Sequence, residues 1–413
     1  MTAGYTEYVD SGVPWLGAVP AGWTMRPLWS MFERLKDIGH PDERMLSVFR
    51  DYGVVAKDSR DNINKTAENR NIYQLVHPGW LVTNRMKAWQ GSVGISSLRG
   101  IVSGHYICFA PRHDADSRYL NWLFRSPAYA TGYALQSRGV RIGQAEIDND
   151  LYRVMPVLLP PIEEQRAIAD YLDRETAQID TLIEEQRRLI EMLRDRRADL
   201  ISHTVLDATS ERTRLRRLVD VIDCAHVTAE FVDDDQRYPV ASIRECQAAT
   251  VDLSACNYTT AEFFEHLRAA GRAPRAGDLL FIRNVSVGLV SVVAPGLPEF
   301  AIGQETVLLR RKSDVHPTFL RYALVGAEAR HAIEAAMIGS TFRRINVSAI
   351  RSLPVPTPPI DEQHRIATYL DQQTAKIDEL IAETERFIDL VRERRAALIT
   401  AVVTGQFDVR EIA

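Results

Sequence analysis

The stretch Pro160-Pro161-Ile162-Glu163-Glu164-Gln165 is repeated 198 residues later as Pro358-Pro359-Ile360-Asp361-Glu362-Gln363. The similarity continues along the chain, because 25 of the 42 positions in Pro160–Ile201 are identical in Pro358–Ile399. Solenoid repeats have periods of about 20 to 50 residues, so this repeat is too long to be one of them. We therefore predict two similar half-molecules, each a globular part followed by a long helix.

Both copies of the repeat have the pattern of a long amphipathic helix. The two prolines suit a first helical turn, and the glutamates that follow complement the positive end of the helix dipole. Apolar residues then recur at three- and four-residue spacing. The first copy has Ile168, Leu172, Ile179, Leu182, Leu189, Leu193 and Leu200, flanked by Ile183, Ile190 and Ile201. The second has Ile366, Leu370, Ile377, Leu380, Phe387, Val391 and Leu398, flanked by Ile381, Ile388 and Ile399. At about 1.5 Å per residue, a helix from Ile162 to Thr204 is about 64 Å long.

A helix with such an apolar stripe needs a partner. Because the two copies match in length and pattern, we expect them to pack on each other within one chain, as an antiparallel coiled coil. The alternative is that the stripe joins two chains as a dimer.

The globular halves also share short anchors at nearly the same offset. Gly79 before Leu81-Val82 corresponds to Gly277 before Leu279-Leu280, and Arg85 corresponds to Arg283. Alternating apolar runs at 104–109 and 306–309 predict strands, whereas 117–135, interrupted near Pro127, and 317–337 predict short helices. The predicted fold class is α+β, with two globular α/β domains separated by the two helices in a pseudo-two-fold repeat. We place the domains at 1–155 and 209–354, and the helical segments at 156–208 and 355–413.

Charge is distributed unevenly along the chain. The net charge of the whole sequence is −5, but residues 1–155 carry +3 and residues 209–354 carry +1. The helical segments carry −5 and −4. The excess acid therefore lies on the helices, and the globular parts are compatible with contact to phosphates.

Composition is that of a soluble globular protein, with 46% hydrophobic and 25% charged residues. No run approaches the roughly 20 apolar residues of a membrane helix, and the first residues do not resemble a signal peptide. The four cysteines lack CxxC spacing, so we expect buried thiols in a reducing cytoplasm.

We find no persuasive catalytic motif. The sequence contains no Gly-x-x-x-x-Gly-Lys phosphate loop, no G-x-G-x-x-G run and no Asn-Pro-Pro element. Cys224-Ala225-His226 lacks the further ligands that a metal site requires. We therefore expect no catalytic residue and no metal site in this chain.

The chain resembles the specificity (S) subunit of type I DNA restriction-modification systems over essentially its whole length. The resemblance is carried by the Pro-Pro-Ile-x-Glu-Gln-x-x-Ile-Ala-x-Tyr-Leu-Asp start of both helices. The opening Val13-Pro14-Trp15-Leu16-Gly17 with Trp23, and the run Asn84-Arg85-Met86-Lys87-Ala88-Trp89-Gln90-Gly91-Ser92, carry it too. In the second half, Asn284-Val285-Ser286-Val287 stands in place of Trp89-Gln90, so contacts cannot be transferred directly between halves.

The resemblance implies a non-catalytic, cytoplasmic subunit for phage defence with two target-recognition domains, each reading one half of a bipartite double-stranded DNA target. It also implies two docked modification (methyltransferase) subunits, and restriction or translocase subunits besides. S-adenosylmethionine, ATP and Mg would then belong to those partners, and no cofactor to this chain. Two alternatives stay open: a protein-interaction scaffold of a defence complex without its own sequence readout, and a self-contained enzyme.

Base edges are read by Arg, Lys, Asn or Gln, and phosphates by any nearby donor. Three clusters have suitable residues. They are Arg85, Lys87, Trp89 and Gln90 after a predicted strand; Arg138, Arg141 and Gln144, with Ser340, Thr341, Arg343, Arg344 and Asn346, in the loops before the helices; and Arg283 with Asn284. For partner docking, the resemblance points to the helix starts, with Glu164, Gln165, Tyr171, Glu362, Gln363 and Tyr369. We expect helix length to set the number of unread base pairs between the half-sites.

Overall fold

The computed structural model describes residues 4–59, 69–138, 145–223, 229–232, 237–339 and 343–411. The chain divides into two compact units. Unit 1 consists of Met1–Gln186 and Arg386–Ala413, and unit 2 of Arg187–Glu385. Each unit thus combines one globular half with parts of both long helices.

Unit 1 contains short strands and helices before its first long helix. The strands are β1 Tyr8–Asp10, β2 Ala18–Pro20, β3 Thr24–Pro27, β4 Phe32–Arg34, β5 Leu46–Phe49, β6 Gly53–Ala56, β7 Gln74–Val76, β8 Leu81–Asn84, β9 Val93–Ile95, β10 Gly100–Val102, β11 Tyr106–Pro111, β12 Ser137–Arg138, β13 Glu146–Ile147 and β14 Pro156–Leu159. The helices are α1 Leu28–Met31, α2 Ser117–Arg125, α3 Pro127–Leu135, α4 Asn149–Arg153 and α5 Ile162–Asp207, which continues into unit 2. The break between α2 and α3 confirms the interruption predicted at Pro127.

Unit 2 likewise has short strands and helices before its long helix, but their number and the segments that join them differ from those of unit 1. Its strands are β15 Arg212–Arg214, β16 Val219–Ile222, β17 Arg237–Ala241, β18 Asn257–Thr260, β19 Leu279–Ile282, β20 Val290–Val292, β21 Ala301–Ile302, β22 Thr306–Arg311 and β23 Pro354–Pro356. Its helices are α6 Ala261–Ala269, α7 Pro317–Val325, α8 Ala327–Ala336, α9 Val347–Ser352 and α10 Ile360–Val403, which ends in unit 1.

A four-stranded antiparallel sheet forms the centre of each unit. The strand order is β4-β11-β8-β9 in unit 1 and β16-β22-β19-β20 in unit 2. The inner strands β8 and β19 begin after Gly79 and Gly277, whose φ angles are +84° and +85°. A residue with a side chain is strained at such angles, so the repeated glycines give both strands the same tight entry.

The strand that leads into each long helix pairs with a strand from the start of the same globular half. β14 pairs with β3, and β23 pairs with β15. Apolar side chains on both helices then complete the cores. In unit 1, Ile168 and Leu172 share a core with Ile399 and Val402.

The helices run antiparallel within each unit. In unit 1 the beginning of α5 packs with the end of α10, as that shared core shows. In unit 2 the order is reversed, because Ile201 and Val205 near the end of α5 share a core with Ile366 and Leu370 near the beginning of α10. The predicted antiparallel pairing within one chain is confirmed.

At some positions along the helices, the flanking row is buried where the stripe predicted as the centre of the seam is exposed. Ile183 and Ile190 are buried, whereas Leu189 is 37% exposed. In the second helix Ile388 is buried and Leu380 is 49% exposed. Ile377 and Val391 of the predicted stripe are also buried, so the seam draws on both rows. Adjacent apolar rows cannot be ranked from the sequence until a partner helix covers them.

An ion pair crosses between the helices in the same way in each unit. Arg395 Nε lies 3.0 Å from Asp180 Oδ1 in unit 1, and Arg197 Nε lies 2.8 Å from Asp378 Oδ1 in unit 2. Both partners recur at the 198-residue offset of the repeat. The duplicated sequence therefore fixes the register between α5 and α10 through one equivalent ion pair in each unit.

Candidate nucleic-acid interface

In each unit the end of an inner strand is joined to the segment before the long helix. Arg85 follows β8, and its carbonyl oxygen accepts a 3.1 Å hydrogen bond from the N–H of Ile147 in β13. Arg283 follows β19, and its carbonyl oxygen accepts a 2.9 Å hydrogen bond from the N–H of Ile345. Both pairs are related by the 198-residue offset, so the repeat builds the same junction twice.

The segment before each long helix is a hairpin. In unit 1, β12 and β13 pair antiparallel, with Arg138 opposite Glu146. In unit 2, Ile338 and Arg344 form an antiparallel bridge at the corresponding place. Residues 139–144 and 340–342 lie outside the described residues, and with them four predicted DNA-reading residues: Arg141, Gln144, Ser340 and Thr341.

In unit 1, two predicted DNA-reading side chains are held by the chain itself. Arg85 forms an ion pair with Glu146 of the hairpin. Trp89 is half-buried, and its Nε1 donates a 3.1 Å hydrogen bond to the carbonyl oxygen of Met86. Both side chains are thus engaged within the chain, and DNA contact by Arg85 and Trp89 stays a prediction.

Three other predicted residues of unit 1 face solvent. Lys87 and Gln90 are exposed. The side chain of Arg138 is 75% exposed, although its Nε lies 3.0 Å from Asp148 Oδ2. The strand-end run and the hairpin, predicted as separate clusters, therefore meet at one junction in this unit.

In unit 2, Arg283 is also an internal residue. Its side chain is 16% exposed, and Nη1 donates a 2.5 Å hydrogen bond to Asp223 Oδ1. The next residue, Asn284, forms a backbone bridge with Arg344 of the hairpin. Arg283 therefore supports the junction, and the hairpin supplies the exposed charges.

The hairpin of unit 2 presents Arg343, Arg344 and Asn346, all of which are exposed. Within the described ranges, neither Arg343 nor Arg344 forms an ion pair. The N–H of Val285 donates a 3.0 Å hydrogen bond to the carbonyl oxygen of Arg343, and Val285 adopts a left-handed φ of 61°. Two adjacent guanidiniums next to an exposed amide offer the donors that phosphates and purine edges accept.

The predicted docking residues divide into buried and accessible ones. Glu164, Gln165 and Gln363 are buried. Glu164 accepts hydrogen bonds from Tyr5 and from Trp23 Nε1. Burial, together with the hydrogen bond to Glu164, raises the pKa of Tyr5. All three side chains are thus occupied inside their own units, and docking through them stays a prediction.

The remaining three docking residues keep exposed surface. Tyr369 is 45% exposed, and Tyr171 and Glu362 are partly exposed. Arg365 donates hydrogen bonds to Glu362 and lowers the pKa of that carboxyl group. For these three residues docking stays a prediction.

A set of exposed or partly exposed apolar residues on the long helices was not singled out from the sequence as a site. We call it the apolar edge, and it has three residues in each unit. They are Leu182, Phe387 and Leu390 in unit 1, and Leu380, Leu189 and Met192 in unit 2. Met192 and Leu390 are 60% and 63% exposed. The sequence does contain a signal for this set, because each apolar residue in one unit has an apolar counterpart in the other at the 198-residue offset.

Two of the cysteines that the structure describes, Cys108 and Cys246, are buried. Burial raises the pKa of both Cys108 and Cys246 to about 12, so these thiols stay protonated near neutral pH. Within the described ranges no cluster of His, Cys, Asp or Glu could hold a metal ion. Cys224-Ala225-His226 falls in one of the gaps between those ranges.

No helix in the described part of the chain combines the length and apolarity needed to cross a membrane.

Comparison with known proteins agrees with this geometry. Residues 250–386 match the family model of the type I restriction modification DNA specificity domain. The fold resembles a chain from a study of complex assembly and conformational transition of the type I R-M system. That chain has a TM-score of 0.64 and 16% identity, and the match covers 93% of this chain and 98% of the other.

The fold also resembles the HsdS subunit from Thermoanaerobacter tengcongensis. The TM-score is 0.50 at 17% identity, and the match covers 94% of this chain and 97% of that subunit. The family match and the shared fold confirm the resemblance to type I specificity subunits that the sequence indicates.

Proposed function

We propose that this chain is the DNA-recognition subunit of a type I restriction-modification complex, with one unit for each half of a bipartite target. The observation that carries the proposal is the duplicated junction of strand end and hairpin, tied by the Ile147 and Ile345 N–H groups. A target in two parts needs two readers of the same build, and the repeat supplies them within one chain.

The two junctions expose unlike side chains. Unit 1 offers Lys87, Gln90 and Arg138, whereas unit 2 offers Arg343, Arg344 and Asn346. Arg and Lys favour guanine, and Asn and Gln favour adenine, in the major groove. Different sets at the same place in a repeated fold favour two half-sites of different sequence.

The apolar edge supports docking of two copies of one partner. Exposed apolar patches mark interaction surfaces, and this edge occurs once in each unit with equivalent residues. The proposed partners are two adenine-methylating modification subunits, with restriction or translocase subunits joining the same cytoplasmic complex. S-adenosylmethionine, ATP and Mg would be bound by those partners, so the chain itself is proposed to be non-catalytic.

The test combines an adenine-methylation map with duplex binding. Cells that express the chain with its modification subunit should methylate one bipartite sequence that is absent without the chain. The purified complex should then bind that duplex more tightly than a random duplex of equal length. Arg343→Ala or Arg344→Ala should weaken binding and flatten the slope of log affinity against log salt by about one for each phosphate that the variant no longer binds.

The matched control is the adjacent pair Arg216 and Arg217, which is also exposed in unit 2 but lies outside the hairpin. Alanine at those positions should leave affinity and salt slope unchanged. A complex that assembles but binds no duplex would favour the protein-interaction scaffold. Methyl transfer by the isolated chain would instead show that it is an enzyme.

A further inference from the structure

Unit 2 contains a cleft of about 910 Å³ between its parts of the long helices and its globular half. The walls come from α5 and α10 on one side, and from α7, α8 and the loop after β19 on the other. Five arginines line it: Arg194, Arg197, Arg321, Arg330 and Arg343. Among the residues that the structure describes, two carboxylates, those of Glu334 and Asp378, line the same space.

Two of these arginines have carboxylate partners. Arg197 pairs with Asp378, and Arg194 Nη2 lies 3.1 Å from Glu385 Oε1. The side chains of Arg194 and Glu385 are 60% and 53% exposed, so solvent screens this pair and Arg194 can still attract a second anion.

The other three arginines have no carboxylate partner in the described part of the chain. Arg321 is buried and donates from Nε to the carbonyl oxygen of Val290 at 3.0 Å. Burial and nearby Arg197 lower the pKa of Arg321. Arg330 is exposed and donates to the carbonyl oxygen of Val325, and Arg343 is exposed on the hairpin. The cleft therefore carries positive charge that the chain does not neutralise.

In unit 1, a buried arginine near the corresponding cross-helix ion pair is bound by the chain itself. Arg125 lies close to the ion pair of Arg395 with Asp180, much as Arg321 lies close to Arg197 and Asp378. The Nη2 of Arg125 donates to the carbonyl oxygens of Arg50, at 3.3 Å, and Asp51. In unit 1, backbone carbonyl groups of a loop thus bind the guanidinium of Arg125. In unit 2, the arginines line an open cleft.

We propose that the cleft of unit 2 holds phosphates of the DNA backbone next to the half-site that this unit reads. The planar guanidinium binds phosphate through two parallel hydrogen bonds, and several of them around one concave surface select a polyanion. An acidic protein segment has the same charge, but DNA is favoured because the cleft includes Arg343 and Val285, which are hydrogen-bonded at the hairpin junction. This inference rests on the proposed function, since it assumes that the hairpin faces DNA.

The experiment uses the chain in complex with its modification subunit and two duplexes of equal length. One duplex carries the target sequence that the methylation map identifies, and the other carries a random sequence. Arg330→Gln and Arg194→Gln should each lower affinity for both duplexes by a similar factor, on the order of 3- to 10-fold at low salt. Each should also reduce the slope of log affinity against log salt by about one, because contacts to phosphate carry no sequence information.

The matched control is Arg188→Gln, which removes the same charge from an exposed position of α5 outside the cleft lining. Arg188→Gln should leave both affinities and the salt slope at parent values. Unchanged slopes in the Arg330 and Arg194 variants, or an equal loss with Arg188→Gln, would overturn the phosphate cleft. A loss confined to the target duplex, or weaker binding of the modification subunit with DNA affinity retained, would overturn it as well. A parent complex that binds neither duplex would overturn the proposed function itself.

Discussion

Gln165 and Gln363 perform the same structural task in the two units. Each side-chain Nε2 donates a 2.8 Å hydrogen bond to the carbonyl oxygen of the first proline of its repeat, Pro160 or Pro358. Each Oε1 accepts a hydrogen bond from the backbone N–H of the N-cap residue of a short helix, Asp116 of α2 or His316 of α7. One buried amide thus joins the start of each long helix to α2 or α7 of the same unit.

Truncating Gln165 should be costly because it leaves the Pro160 carbonyl oxygen, in a buried bond, and the half-buried Asp116 N–H without their partner. We expect Gln165→Ala to lower the free energy of unfolding by about 2 kcal/mol, within the range for unsatisfied buried groups. Urea or thermal unfolding of the purified chain measures this change. The control is Gln178→Ala on the exposed face of the same helix, which should change stability by less than about 0.5 kcal/mol. Equal losses in the two variants would refute the bridging role.

At the scale of the helices, one heptad pattern serves two surfaces. Thr176, Ile183 and Ile190 recur every seven residues and are buried along the seam. Leu182 and Leu189 directly precede two of them, so they are rotated by about 100° from the seam and remain accessible. Asp180 forms an ion pair with the partner helix. The same helix therefore binds its internal partner and still presents an apolar row.

The apolar edge should set how many partner subunits are bound. Phe387→Glu together with Leu390→Glu alters only the edge of unit 1, so the complex should retain one modification subunit instead of two. Removing such an anchor typically costs about 2 kcal/mol or more, or about 30-fold in affinity. Native mass spectrometry of the assembled complex measures the stoichiometry.

The control for the edge is Arg392→Glu, which places a similar charge at an exposed position of the same helix, about 140° or more around the helix from Phe387 and Leu390. It should preserve two bound subunits. Loss of both subunits from the Phe387 and Leu390 variant would show that the two edges do not act separately.

The sequence predicts the helices well and the side-chain roles less well, for a physical reason. Repeat length, proline starts and apolar spacing are local properties, so the predicted start at Ile162 agrees with the structure and the end lies only three residues beyond Thr204. Burial depends on contacts distant in the chain. Glu164 looks like a surface residue until Tyr5 and Trp23 cover it. The same holds for Arg283, whose partner Asp223 lies 60 residues away.

For the whole molecule, the repeat preserves the structural framework of the two units and leaves their exposed reading surfaces different. The two units share sheet order, glycine entries, glutamine bridges and cross-helix ion pairs. They differ in the side chains at the junction and in the open cleft of unit 2. Selection for assembly can therefore act on the repeated parts while each reading surface changes independently.

Helix length should determine the spacer of the target. α5 leaves unit 1 at Gln186 and α10 enters it at Arg386, so both helices can be lengthened at this boundary. Inserting four residues into each adds about 6 Å and rotates the helix by about 40°, while one base pair adds about 3.4 Å and about 35°. Antiparallel pairing requires the insertion in both helices, because an insertion in one displaces its seam and one cross-helix ion pair. We expect the double insertion to lengthen the methylated spacer by one or two base pairs with both half-sites unchanged. A methylation map of cells carrying the variant measures both, and a variant that methylates at the parental spacing would contradict the role of the helices as a spacer.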